Sequence, residues 1–323
     1  MVNKYLISRP LDYHNKNGTH VRPKVRIMLR TFGRTCVPIR TTLKSRHFMH
    51  ITTVAGPAGR LNLTDTGAVS GEEPKAIPVL FVHGMAYHLG VWDETIALLR
   101  ANLGQNQRIL AIDLRGHGAS DPPADGDYSP DACAADILAV LDALDIPQVA
   151  LVGHSFGALA VLATADAAPA RVARVVLADP PGDFNYLPPS VYDEQMVPFL
   201  AALAGDGYRA AAEEKFAQAL EGSTPETRET TIARLGATPR DRLVGMYEGM
   251  FAYNAVGAID RYLATPGTQI SAVLAPANSW PFSLHVLRPQ IATAVIPETS
   301  HWLQLDAPVP FAEAVTNELT VDS

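Results

Sequence analysis

Short apolar runs alternate along this chain with longer stretches in which apolar residues recur at helical spacing. Phe48-Met49-His50-Ile51-Thr52-Thr53-Val54 and Arg60-Leu61-Asn62-Leu63-Thr64-Asp65 flank Gly56-Pro57-Ala58-Gly59 and predict a β-hairpin. Residues 77–82 are apolar throughout and predict a buried strand. A helix is expected over 91–103, with Trp92, Ile96, Leu99 and Leu103 on one face, and a strand over 108–112. Ser129 caps a helix that runs to residue 144, with Pro130 in its first turn. A strand over 149–152, a helix over 158–163 and a strand over 174–178 follow. The alternation then stops between residues 182 and about 265, a segment rich in Ala, Glu and Arg with helical stretches over 207–220 and 240–253. Strands over 269–274 and 291–296 and a helix over 310–319 complete the chain. Strand and helix in alternation demand a mostly parallel sheet covered by helices on both faces, and ligands collect at the carboxyl ends of such strands.

At one of those ends stands Gly153-His154-Ser155-Phe156-Gly157. A strand that turns abruptly into a helix leaves no room for side chains beside the turn residue, which accounts for both glycines. Ser155 is then left exposed in a strained backbone conformation. The N–H groups of the following helix point at the same spot, where charge would develop on a substrate oxygen. This nucleophile elbow resembles that of the α/β-hydrolase family. The resemblance implies a mostly parallel eight-stranded sheet with helices on both faces and an inserted helical cap. It divides the chain into a core over 48–181 and 266–323, a cap over 182–265 and a basic extension over 1–47.

Three further motifs carry the resemblance. His83-Gly84 closes a strand as in the family, so the N–H groups of Met85 and Phe156 are implied as the oxyanion hole. Asp113-Leu114-Arg115-Gly116-His117-Gly118-Ala119-Ser120 matches a loop that is structural in the family, and Asp113 and His117 are assigned to loop hydrogen bonding. His301 follows the last strand, as the catalytic histidine does, and is the candidate base for Ser155. His83, His88, His154 and His285 are its rivals. The family's acid usually follows the strand over 269–274, but that loop reads Ala275-Pro276-Ala277-Asn278-Ser279-Trp280 and holds no carboxylate. A subset of the family places the acid one strand earlier, which implies Asp179, with Asn278 as a neutral alternative. Trp302 and Gly84 are the candidate substrate contacts.

Composition narrows the classes. The chain of 323 residues is 47% hydrophobic and 18% charged, as expected for a globular protein with a sizeable core. No apolar run approaches the ~20 residues needed to span a bilayer. The absence of a secretory apolar core at the N-terminus leads us to expect a cytoplasmic location. Cys36 and Cys133 lack metal-type spacing and read as reduced thiols. The net charge of −7 conceals a basic arm: residues 1–47 carry eleven Lys and Arg against Asp12 alone. The arm shows no interleaving of aromatic and basic residues of the kind that binds nucleic acid.

These observations predict a serine hydrolase of the esterase or lactonase type, monomeric or homodimeric, acting on a small and mostly apolar substrate. No cofactor is expected, because the sequence holds no metal cluster, phosphate loop or dinucleotide fingerprint. The same resemblance admits a cofactor-free dioxygenase with a His-Asp pair. Trp302 beside His301 is similar to what carbon–carbon hydrolases show. A binding protein that retains the pocket with little turnover is the third class.

Overall fold

The computed structural model describes residues 50–67 and 76–320. The basic arm over 1–47, Cys36 within it, and Phe48 and Met49 of the expected first strand lie outside the described residues.

β1 (His50–Gly56) and β2 (Gly59–Asp65) form the expected hairpin, antiparallel from His50 opposite Asp65 to Gly56 opposite Gly59. β2 pairs antiparallel with β4 (Ile109–Ile112). The remaining pairings are parallel and join β3 (Val79–Val82), β4, β5 (Val149–His154), β6 (Val172–Ala178), β7 (Gln269–Leu274) and β8 (Ala292–Val295). Across the sheet the order is β1-β2-β4-β3-β5-β6-β7-β8, the eight-stranded and mostly parallel sheet that the apolar runs predict. β3, β4 and β5 are buried along their whole length, which explains why they read as continuous apolar runs instead of alternating ones. β8 differs from expectation. Ile291 and Ile296 are buried at its flanks, while the four residues that pair are exposed or half-buried because β8 is a sheet edge.

The helices of the core are α1 (Asp93–Leu103), α2 (Pro130–Ala143) and α3 (Phe156–Ala167). After β6 come α4 (Pro189–Val191), α5 (Val197–Ala204), α6 (Tyr208–Ala219), α7 (Pro225–Ala237), α8 (Arg240–Ala252) and α9 (Ala255–Leu263). α10 (Leu284–Leu287) follows β7, and α11 (Leu303–Asp306) and α12 (Pro308–Thr320) follow β8. α1 packs on α12, and α2 and α9 pack on α3. α3 is buried from Phe156 through Ala165, so its sequence is apolar on every side. One expectation needs adjustment. Residues 89–92 form a 3-10 turn, capped by His88 Nδ1 accepting from Gly90 N–H, and the α-helix begins only at Asp93. Within the segment read as the insertion over 182–265, α9 packs on α3 and the Tyr262 hydroxyl donates to the Val172 carbonyl at the start of β6.

A buried ion pair locks the loop after β4. Arg115 Nε donates to Asp136 Oδ2 at 2.7 Å, and the other Asp136 oxygen accepts Ala58 N–H from the hairpin turn. Among the described residues no helix is long and apolar enough to cross a membrane.

Candidate active site

Ser155 sits between β5 and α3 at φ 53° and ψ −123°, a region that costs a non-glycine residue about 1–3 kcal/mol. Among the described residues, five non-glycine positions have positive φ: Ala86, Asp145, Ser155, Asp179 and Glu298. Ala86, Ser155 and Asp179 stand just past the carboxyl ends of β3, β5 and β6, and Glu298 leads into the His301 loop. Strain of this kind gathers where the surrounding structure holds a constellation in place.

Close packing makes the elbow. A methyl group on Gly157 would lie 2.4 Å from the His83 carbonyl oxygen and 2.5 Å from that of Val82, both at the end of β3. One on Gly84 would lie 2.9 Å from Ser155 Cβ. The loop that carries Met85 is therefore pressed against the serine. The N–H groups of Met85 and Phe156 donate to no acceptor among the described residues. Gly84, read from sequence as a substrate contact, has a clear structural duty in this close approach.

The structure brings Asp179 and His301 together: His301 Nδ1 donates to Asp179 Oδ2 at 2.6 Å. Asp179 is 4% exposed, and the other oxygen of its carboxylate accepts Ala275 N–H at 2.8 Å and the Asn278 amide at 3.1 Å. Asn278 thus reaches Asp179. Ser155 is half-buried and its side chain makes no hydrogen bond among the described residues. His301 Nε2 is equally without a partner among them.

Residues that the sequence offers as rivals of His301 or as loop residues hold this arrangement. His154 Nε2 donates to the His301 carbonyl at 2.8 Å, and the two rings lie 4.7 Å apart, so the elbow anchors the histidine loop directly. His83 Nε2 accepts Leu114 N–H at 3.0 Å, which leaves Nδ1 as the donor to the Gly84 carbonyl at 2.7 Å. Asp113 accepts from Leu89 N–H, Asn62 and Ala119 N–H, the loop bonding expected of it. The His117 ring lies tilted 5.2 Å from that of His83, and its Nδ1 donates to the Arg115 carbonyl at 3.0 Å and so carries the proton. Trp302 is 3% exposed and packs against His301, Tyr87 and Phe216 of α6. α6 and α7 meet the neighbouring loops through Ala219, whose carbonyl accepts His301 N–H, and through Thr231, hydrogen-bonded to the Tyr87 hydroxyl at 2.5 Å. The Arg234 guanidinium lies 5.2 Å above the Tyr87 ring.

Burial sets the charge state of these histidines. Desolvation pushes His83 down to about 4, although Asp113 nearby opposes it. It also holds His117 and His154 well below the ordinary histidine value. The neutral form is favoured by the fold, and the unfolded chain takes up protons near pH 6.5. Stability is then fully present above about pH 6.5 and is lost as pH falls toward 4, with His83 alone contributing up to about 3 kcal/mol. The urea midpoint should fall clearly between pH 7 and pH 5, above the range where carboxylates titrate. A constant midpoint across that window would show that these rings are not buried as neutral groups.

Among the described residues no group of three or more His, Cys, Asp and Glu side chains is placed to hold a metal ion.

A sequence model of the alpha/beta hydrolase fold matches residues 77–249, more than half of the chain, and the chain belongs to that family. The 2-hydroxymuconate semialdehyde hydrolase of Pseudomonas sp. (strain CF600) is 38% identical over 118 residues, which span 36% of this chain and 39% of the relative. The matches to this relative and to the non-heme chloroperoxidase of Streptomyces lividans cover less than half of either protein. The enol-lactonase from Burkholderia xenovorans LB400 superimposes with a TM-score of 0.64 over 84% of this chain and 100% of its own, at 22% identity. A variant of AqdC, solved for recognition and ring-cleavage of the Pseudomonas quinolone signal, gives a TM-score of 0.66 over 84% and 99% of the two chains, also at 22% identity. At that identity the two structures share the fold.

Proposed function

We propose that the protein is a serine hydrolase that cleaves a carboxylic ester or lactone through an acyl-enzyme. The observation that carries this reading is the His301 Nδ1 to Asp179 Oδ2 hydrogen bond of 2.6 Å beside a strained serine elbow. With its proton held on Nδ1, His301 offers Nε2 as the base. Ser155 Oγ attacks the carbonyl carbon and passes its proton to His301 Nε2. The oxyanion that forms accepts hydrogen bonds from Met85 and Phe156 N–H, at the N-terminus of α3 where the helix dipole also favours negative charge. Collapse expels the alkoxide, which takes the proton back from Nε2. Water, deprotonated by the same nitrogen, then releases the acid from Ser155. For a lactone the two products remain one hydroxy acid. α4 to α8 act as a cap, and Trp302 with the aromatic residues of the insertion supplies an apolar wall.

A second reading rests on the absence of a Ser155 hydrogen bond among the described residues: His301 acting directly on the substrate, as a cofactor-free dioxygenase requires. A short-chain chromogenic ester and a Ser-directed fluorophosphonate decide between them. Hydrolysis together with a covalent adduct on the peptide that contains Ser155 supports the hydrolase. Turnover that consumes oxygen and persists in Ser155→Ala overturns it.

A further inference from the structure

The loop after β7 is where the family resemblance places an acid, and in this chain it presents an amide. Every polar atom of the Asn278 side chain is used. Its Oδ1 accepts the Ser283 hydroxyl at 2.8 Å, and its two amide protons go to Asp179 Oδ1 at 3.1 Å and to the Pro180 carbonyl at 2.9 Å. Ser283 is itself 1% exposed, and its oxygen accepts Trp280 N–H at 3.0 Å. The Ser283 proton is therefore directed to Asn278 Oδ1. That contact selects the flip of the amide that turns its NH2 group toward Asp179.

We propose that Asn278, oriented by Ser283, is a positioning residue that clamps the Asp179 carboxylate so that Oδ2 faces His301. The proposal rests on the hydrolase reading. Asp179 occupies a strained backbone position, φ 42°, and one main-chain donor, Ala275 N–H, does not by itself set the rotation of the carboxylate plane. The second donor, on the same oxygen, does. A carboxylate at 278 could not replace it, because it would set negative charge against both Asp179 and the Pro180 carbonyl. The amide is the neutral group that can donate to both acceptors at once.

The test uses the full chain and measures kcat, KM and thermal midpoint for four variants. Asn278→Ala should lower kcat roughly tenfold with KM within about twofold, since the lost bond orients a charge that matters in the transition state. Asn278→Asp should lose more, roughly a hundredfold, because repulsion replaces donation. Ser283→Ala should fall by about threefold and Ser283→Thr, which keeps the hydroxyl, should recover that loss. In parallel, the low-field proton resonance of the His301 Nδ1–H to Asp179 bond should shift in Asn278→Ala and be weakest in Asn278→Asp. Wild-type kcat in both Asn278 variants overturns the clamp, as does a fall in thermal midpoint with kcat and the resonance unchanged. If the wild type hydrolyses no ester, the hydrolase reading fails separately. The resonance then decides, and an unaltered signal in Asn278→Ala overturns the proposal.

Discussion

Asp179→Asn is expected to lose about four orders of magnitude in kcat for ester hydrolysis while remaining folded. The direction follows from the donors around the carboxylate. Ala275 N–H and the Asn278 amide both point at Oδ1, so an asparagine at 179 must turn its carbonyl oxygen toward them. Its NH2 group then faces His301 Nδ1, the position that Oδ2 holds in the native protein at 2.6 Å. A donor there forces His301 to carry its proton on Nε2, and a protonated Nε2 cannot accept the Ser155 proton. The substitution therefore removes the base without removing a residue from the site. Ser155→Ala assayed in parallel sets the floor, and the thermal midpoint reports folding. Activity of Asp179→Asn within tenfold of wild type would mean that the hydrogen bond between Asp179 and His301 is incidental to turnover.

The second large effect is expected from a single methyl group. Gly157→Ala places a Cβ 2.4 Å from the His83 carbonyl oxygen and 2.5 Å from that of Val82, and neither is a flexible side-chain end that could move aside. β3 is paired on both sides, to β4 and β5, so relief requires moving α3 or the strand end as a body. Overpacking of this kind costs about 3 kcal/mol, enough to lower the thermal midpoint by roughly 5 °C or more in a domain of this size. Either displacement also separates Phe156 N–H from Met85 N–H, so the folded fraction should hydrolyse ester slowly. An unshifted midpoint with full activity would show that the contact between β3 and α3 is looser than the structure has it.

Much of this was legible in the chain because the signals are local. A short continuous apolar run marks a strand wherever both faces are covered, as in β3 to β5. The elbow is legible because its glycines and its serine are consecutive. Asp179 could be named from sequence only through the resemblance, once the loop at 275–280 proved to lack a carboxylate, and its bond to His301 spans 122 residues. β8 was placed near its observed position, although its exposure at the sheet edge depends on what lies beside it. That α9 packs on α3 was not legible, because helical composition carries no record of which surface a helix meets.

By itself the sequence determined the fold, the turn that presents Ser155, and the short list of histidines and acids from which a site could be built. These follow from backbone geometry and burial pattern, which a few neighbouring residues express. Only the tertiary structure decided that His154 Nε2 donates to the His301 carbonyl, that His83 Nε2 accepts Leu114 N–H, and that the Asn278 amide donates to Asp179. Those choices depend on hydrogen bonds between loops far apart in the chain. Each loop has several polar groups that could bond, and only the packed sheet brings one particular pair within 3 Å or so of each other.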